Sequence, residues 1–145
     1  MEAALKAREE GLVRYIGVTG HVWPEIAKAV ATGLFDTVLC WYNAAYREAE
    51  TSVFPQALAH DTGVIIMNAT RNDKLFGPKA PPAADFYRYV LSHESVDVTL
   101  IGLRDVDLFR QVALALAWRD TLSAEERAAL EAYAARQRQA GKLQM

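Results

Sequence analysis

The sequence predicts an α/β fold that forms half of a (β/α)8 barrel: four parallel strands alternating with helices, and a C-terminal helix. Four short apolar runs punctuate the 145 residues, and they are rich in β-branched side chains at both odd and even positions. That pattern is typical of parallel strands buried on both faces. A helical pattern follows each run. A complete eight-unit barrel needs about 250 residues, so this chain has the length of about half of one.

The first half of the chain contains two predicted strands and three predicted helices. Residues 2–10 are rich in Ala, Glu and Lys, and Gly11 ends that helix. Pro24 lies in the first turn of the next helix and Gly33 follows its end. In order, the predicted elements are helix Glu2–Glu10, strand Val13–Val18, helix Trp23–Thr32, strand Thr37–Trp41 and helix Glu50–His60.

The second half repeats the alternation but contains one long loop. Ala69–Pro82 is polar and rich in Pro and Gly, and loops of that length inside compact domains are often functional. Ser123 and Glu126 have the spacing of a capping box, which predicts a tail helix over about 123–140. The other predicted elements are strand Val64–Asn68, helix Asp85–Ser92, strand Val98–Gly102 and helix Asp105–Trp118. Residues 1–145 are predicted to form a single domain.

Composition excludes several function classes. The net charge is −2, so no basic excess indicates nucleic acid or an anionic membrane as a partner. No apolar stretch is long enough to span a bilayer, and the charged N-terminal helix does not resemble a targeting signal. Cys40 is the only cysteine, which excludes an intrachain disulfide. Together these features predict a cytoplasmic location.

Polar residues follow each predicted strand, at the end where parallel barrels place their sites. His21, His60 and His93 lack the spacing of metal ligands, so no metal site is predicted. Cys40 is interpreted as a small buried hydrophobe rather than a nucleophile. Three basic residues in the long loop, Arg71, Lys74 and Lys79, either bind a phosphate or solvate the loop, and solvation is favoured. The four clusters are Thr19–His21, Cys40–Asn43, Asn68–Asn72 and Gly102–Asp105.

The same segments resemble the aldo-keto reductase family, a family of TIM-barrel enzymes. The run GLVRYIGVTGH at 11–21 resembles the family's fifth strand, whose pattern is GK(I/V)RYIGVSN. Four such motifs occur in order and at the family's spacing, from about Leu5 to Leu116. The other three, which resemble the sixth, seventh and eighth strands, are Phe35–Leu39 with Tyr42 and Asn43, Gly63–Asn68 and Val96–Gly102.

The resemblance implies that this half of the barrel binds NADP. Thr19 corresponds to a family Ser that contacts the nicotinamide amide, and Gly20 stands in the position of an Asn. Cys40 is matched to the family's Gln, and Arg104 follows the eighth strand, where it would reach the 2′-phosphate. The implied cofactor-binding residues are Thr19, Gly20, Cys40, Tyr42, Asn68, Gly102 and Arg104.

The resemblance does not cover the family's catalytic residues. The catalytic Asp, Tyr, Lys and His belong to the first half of the family's barrel. Carbonyl reduction needs a positioned acid as well as a hydride donor. His21, Tyr42 and Tyr46 are the nearest substitutes, and none is expected to replace that acid. The isolated chain is therefore expected to lack activity on a carbonyl substrate.

Half of a barrel leaves one sheet face and two edge strands uncovered, which indicates a partner. Three hypotheses follow. The chain is the C-terminal part of an NADP-dependent aldo-keto reductase and joins a complementary N-terminal half-barrel. Alternatively, two copies form a homodimer and act as a structural or small-molecule-binding module. In the third, the sheet pairs with that of another protein.

Overall fold

The computed structural model describes residues 1–102, 105–117, 121–141 and 143, and it confirms the α/β class. Helices and strands alternate through the first nine elements, and a tail helix follows. Most observed boundaries lie within a few residues of the predicted ones. In chain order the elements are α1 (Glu2–Glu9), β1 (Gly17–Thr19), α2 (Trp23–Val30), β2 (Thr37–Trp41), α3 (Ala49–Ala59), β3 (Gly63–Met67), α4 (Ala83–Leu91), β4 (Val98–Thr99), α5 (Val106–Ala117) and α6 (Ala124–Gln139).

The four strands form one parallel sheet in the order β1-β2-β3-β4. Each strand therefore pairs with the next one along the chain, as in a (β/α)8 barrel. The register aligns Thr19 with Leu39, Leu39 with Ile65, and Ile65 with Val98. One row of side chains thus crosses the whole sheet at a single level.

Strand β1 is shorter than the sequence predicts and begins later. The prediction was Val13–Val18, whereas pairing starts at Gly17, opposite the first residue of β2. Val13 and Tyr15 are exposed. The backbone N–H of Ile16 instead donates to the Asp36 carboxylate at 2.7 Å, which ends the ladder there. Strand β4 is likewise limited to the two residues that pair with β3.

The hydrophobic core lies between the helices and one face of the sheet. Val38, Cys40, Val64 and Ile66 alternate along β2 and β3 on that face and are essentially fully buried. Side chains of the opposite face, here called the inner face, include the half-buried Leu39, Ile65 and Met67 and the exposed Val98 and Leu100. Among the described residues, the inner face is therefore less covered than the face that packs against the helices.

The tail helix is confirmed and closely tied to the rest of the fold. The Glu126 N–H donates to the Ser123 hydroxyl at 3.1 Å, and the Ser123 N–H donates to the Glu126 carboxylate at 2.8 Å, as the capping box predicts. The Tyr133 hydroxyl donates to the Leu75 carbonyl at 3.0 Å. Helix α6 thereby anchors the long loop after β3.

None of the helices in the described part of the chain is long and apolar enough to cross a membrane.

Candidate functional site

The C-terminal ends of the strands meet at one edge of the sheet, and most of the predicted site residues lie there. Thr19 ends β1 and Trp41 ends β2, while Asn68 directly follows β3. Gly102 lies three residues beyond β4. Parallel pairing in a simple order therefore brings these polar strand ends onto one rim, as predicted.

A cleft of about 190 Å³ opens between the ends of β3 and β4. Its position brings Asn68 and Gly102, two predicted cofactor-binding residues, to the same cavity. Among the described residues, no heavy atom lies within 4 Å of the ideal Cβ position of Gly102. Pockets for whole small-molecule ligands usually have about 300–1,000 Å³, so this cleft is smaller than a typical ligand pocket. Its lining is Met67, Asn68, Ala69, Thr70, Asn72, Asp73, Tyr87, Leu100 and Gly102.

The loop beside this cleft contains four residues in the left-handed backbone region. Asn68, Arg71, Asn72 and Asp73 all have positive φ, between 54° and 64°. Asn and Asp adopt such angles more readily than other residues that carry a side chain, so Arg71 is the unusual one of the four. The Thr70 hydroxyl accepts from the Asp73 N–H at 3.3 Å, and the Leu75 N–H donates to the Thr70 carbonyl at 3.1 Å. Local hydrogen bonds therefore stabilise the turn.

Thr19 and Gly20 occupy the end of β1 in different ways. Thr19 is exposed on the inner face, where its hydroxyl is open to a ligand. Gly20 lies against α2, and a Cβ at this position would come within 3.0 Å of the Ile26 side chain. The close approach of helix and strand accounts for glycine here, because a side chain in its place would displace Ile26.

Cys40 and Tyr42 lie in the helix-facing layer, away from the inner face. Cys40 is fully buried, and burial raises the pKa of its thiol to about 12, which confirms the interpretation as a small buried hydrophobe. The Tyr42 hydroxyl donates to the Glu50 carboxylate at 2.6 Å, beneath α3. Burial, followed by this hydrogen bond, raises the pKa of Tyr42. At the level of Thr19, the inner-facing side chain of β2 is Leu39.

Arg104, the predicted contact for the 2′-phosphate, lies outside the described residues. Within them, no group of three or more His, Cys, Asp and Glu side chains lies close enough to hold a metal ion. His93 packs against the rings of Tyr42 and Phe54, with ring centroids 5.8 and 4.7 Å apart.

An aromatic cluster covers the ends of β1 and β2. The indole rings of Trp23 and Trp41 stack with centroids 4.4 Å apart, and Tyr46 packs against Trp41 at 5.0 Å. The Trp41 indole N–H donates to the His21 carbonyl, and that of Trp23 donates to the Trp41 carbonyl, both at 2.9 Å. These bonds tie the two strand ends together. Sequence analysis placed Trp41 at a strand end but did not identify its ring partners.

Arg71 joins the aromatic cluster, and its predicted solvating role is wrong. Only 5% of the surface of Arg71 is accessible to solvent. The guanidinium carbon lies 4.8 Å from the Trp41 ring centroid and 5.7 Å from that of Tyr46. Lys79, in contrast, is exposed as predicted. The backbone turn at positive φ carries the Arg71 side chain toward β2, whereas the neighbouring Thr70 and Asn72 line the cleft.

Comparisons with known proteins support the fold and leave the function open. No family model and no curated protein sequence matches the chain. Solved structures do match: the holo form of aldo-keto reductase AKR11C1 from Bacillus halodurans has a TM-score of 0.73 and 19% sequence identity. The apo form of the same enzyme has a TM-score of 0.73 and 20% sequence identity. The glycerol dehydrogenase AKR11B4 from Gluconobacter oxydans has a TM-score of 0.66 and 20% sequence identity.

Each of these matches covers 91% of this chain but only 52–55% of the other one. The chain thus spans about half the length of the solved structures that it resembles. Its fold is that of part of an aldo-keto reductase barrel, as the sequence predicted. At 19–20% identity the likeness establishes the fold alone.

Proposed function

We propose that this chain is the nicotinamide-binding part of an NADP-dependent oxidoreductase of the aldo-keto reductase type, acting on a carbonyl or an alcohol. The observation that carries the proposal is the fold likeness to aldo-keto reductases, which extends over 91% of the chain at a TM-score of 0.73. The site supports it: Thr19 offers an exposed hydroxyl, and Asn68 and Gly102 line one cleft at the strand ends.

The residues present fit part of a dinucleotide. The Thr19 hydroxyl is suited to hydrogen bond with a carboxamide, and Gly102 lines the cleft without a side chain. Arg104, two residues beyond Gly102, supplies a guanidinium that the family resemblance matches to the 2′-phosphate. When bound, the cofactor supplies a hydride, and these side chains hold and orient it.

By itself the chain is proposed to lack carbonyl reductase activity. Reduction needs an acid that delivers a proton to the carbonyl oxygen. Of the substitutes named from the sequence, the Tyr42 hydroxyl is buried and bonded to Glu50, and the Tyr46 hydroxyl donates to the Leu143 carbonyl at 3.3 Å. Neither faces the cleft. A complementary N-terminal half-barrel is the partner that would provide the acid.

The first test is NADPH binding by the full chain, followed by quenching of intrinsic fluorescence. We expect Thr19→Ala to weaken binding several-fold and Arg104→Ala to weaken it about tenfold or more, because a hydrogen bond to a charged group contributes roughly 1.5–3 kcal/mol. Thr51→Ala, at an exposed position on α3, is the matched control and is expected to bind as the original chain does. Unchanged affinity in both site variants would refute the cofactor role.

A second candidate function is a non-catalytic module formed by self-association. The exposed Val98 and Leu100 of the inner face favour it, since 46% and 50% of their surfaces are accessible. Two copies related by a twofold axis along the strands would place β1 of one beside β4 of the other and enclose both inner faces. Pairing with the sheet of a different protein would cover the same surface.

A further inference from the structure

Arg71 is a buried cation whose hydrogen-bonding capacity is not used. The residue is 5% exposed, and its Nε atom is covered and has no hydrogen-bond partner within the part of the chain that the structure describes. Among the described residues no carboxylate forms an ion pair with it. Asp73, two positions along, is bonded to the Thr70 hydroxyl at 3.2 Å instead. Buried charges in proteins are normally paired, because an unpaired one is strongly destabilising.

The aromatic rings around Arg71 stabilise its charge but do not accept its in-plane N–H donors. Trp41 and Tyr46 supply cation–π contacts at 4.8 and 5.7 Å. Arg138 provides a comparison within the same cluster, since it lies 4.3 Å from the Tyr46 ring. Its amino groups donate to the Ala45 carbonyl at 2.9 Å and to Glu48 at 2.7 Å. Two arginines thus share one ring, and of the two, Arg138 is the one whose amino groups have hydrogen-bond acceptors among the described residues.

The surroundings of Arg71 are held in place by a buried amide. The side-chain amide of Asn43 donates to the Asn68 carbonyl at 3.0 Å, at the base of the loop that carries Arg71. The Asn43 side-chain oxygen accepts from the N–H groups of Ala45 and Tyr46 at 3.0 and 3.1 Å. Arg71 and Tyr46 are therefore fixed through one residue, and a ligand would find the guanidinium already positioned.

We propose that Arg71 binds an oxyanion, the carboxylate or phosphate group of a small molecule, at the C-terminal end of β2. A guanidinium packed over aromatic rings keeps its N–H donors at its edge, and their fork matches two oxygens of such a group. This site is separate from the cleft between β3 and β4, which Arg71 does not line. It stands independently of the proposed nicotinamide binding.

The experiment titrates the full chain with inorganic phosphate and with acetate, using intrinsic tryptophan fluorescence at an ionic strength held constant with chloride. Trp41 lies within 5 Å of the guanidinium carbon and reports directly. We expect a saturable change with at least one of the two anions and at least tenfold weaker binding in Arg71→Met. Arg14→Met is the control, because Arg14 is exposed near β1 and outside the cluster.

Two results would overturn the proposal: no saturable change in the original chain, or the same binding curve in Arg71→Met. Arg71→Lys covers the case in which the methionine variant does not fold. Lysine keeps the charge but loses the paired donors, so affinity should fall at least threefold, and an unchanged affinity would overturn the proposal. The titration uses phosphate and acetate and contains no NADPH, so a negative result would not bear on the proposed binding of the cofactor. Arg104→Ala is a further variant. Anion binding that is lost in Arg104→Ala but kept in Arg71→Met would place the anion at Arg104 and overturn the proposal.

Discussion

Tyr42 shows how one hydroxyl connects the strand end to the helix layer. Tyr42 is fully buried, and its hydroxyl donates to the Glu50 carboxylate. The same carboxylate accepts two hydrogen bonds from the Arg47 guanidinium, at 2.9 and 3.0 Å. Burial alone would raise the pKa of Glu50, but the hydrogen bonds from Arg47 and Tyr42 lower it. The carboxylate therefore stays ionised and accepts all three donors.

Removing this hydroxyl gives a prediction with a defined pH dependence. Tyr42→Phe is expected to lower the free energy of unfolding by about 1–3 kcal/mol at pH 7, because a hydrogen bond to a charged group is lost. Chemical denaturation, with Tyr15→Phe as an exposed control at 69% accessibility, measures the difference.

Above pH 10 the deficit of Tyr42→Phe should shrink. The pKa of Tyr42 is raised in the folded state, mainly by burial, so the unfolded chain loses that proton first, near pH 10. Stability from such a group is complete below the unfolded pKa and is lost as the pH rises. Phenylalanine has no proton to lose. A deficit that stays constant or grows between pH 9 and pH 11 would contradict this.

The burial of a side chain could be predicted from the sequence where its neighbours along the chain determine it. The prediction failed where residues far away in the sequence determine the burial. The buried, inert Cys40 follows from its place in an apolar run. The burial of Arg71 depends on Trp41 and Tyr46, about thirty and twenty-five residues earlier, and on a backbone turn of positive φ. No local pattern around Arg71 contains those partners, so its basic, loop-bound context indicated solvation instead.

At the scale of elements, two aspartates perform the same task at the N-terminal ends of the strands. Asp36 precedes β2 and accepts from the Ile16 N–H, and Asp97 precedes β4 and accepts from the Val64 N–H, both at 2.7 Å. The Asp97 carboxylate thus bonds the backbone of β3, and the Asp36 carboxylate bonds the residue just before β1. Asp36 also ion-pairs with Arg8 of α1 at 3.4 Å. The carboxylates help to set the register in which neighbouring strands meet.

Asp97→Ala is therefore expected to lower the free energy of unfolding by about 1–3 kcal/mol, because the N–H of the buried Val64 loses its charged acceptor. Thermal or urea unfolding measures the change. Asp107→Ala on α5, where 83% of the side chain is exposed, is the matched control and should change stability by less than about 0.5 kcal/mol. Equal effects in the two variants would mean that the bond to Val64 contributes nothing specific.

The order and type of the elements were predictable because hydrophobic runs and helix signals are local. The length of each strand was less predictable, because pairing depends on where the partner strand begins and ends. Val13–Tyr15 satisfies a strand pattern, but β2 begins at Thr37 and offers those residues nothing to pair with. Neither aspartate bond was predicted, because each joins residues 20 or 33 positions apart.

For the whole molecule, the less covered inner face determines the association behaviour that we expect. Light scattering across a concentration series should give either a stable mass near twice 16.1 kDa or a monomer that aggregates as concentration rises. A stable dimer favours the self-associating module, and aggregation favours a part that needs its complementary half. A monomer that stays dispersed at high concentration would contradict both, because the apolar face would then need no cover.

The bonds of the tail also determine when the rim can form during synthesis. Arg138 bonds to Ala45 across 93 residues, and the Tyr46 hydroxyl bonds to Leu143 across 97. A ribosome produces residues in order, so the aromatic cover over β2 is complete only after Arg138 and Leu143 have been made. The strands can pair earlier, but the surroundings of Arg71 are completed only after α6 has been synthesised.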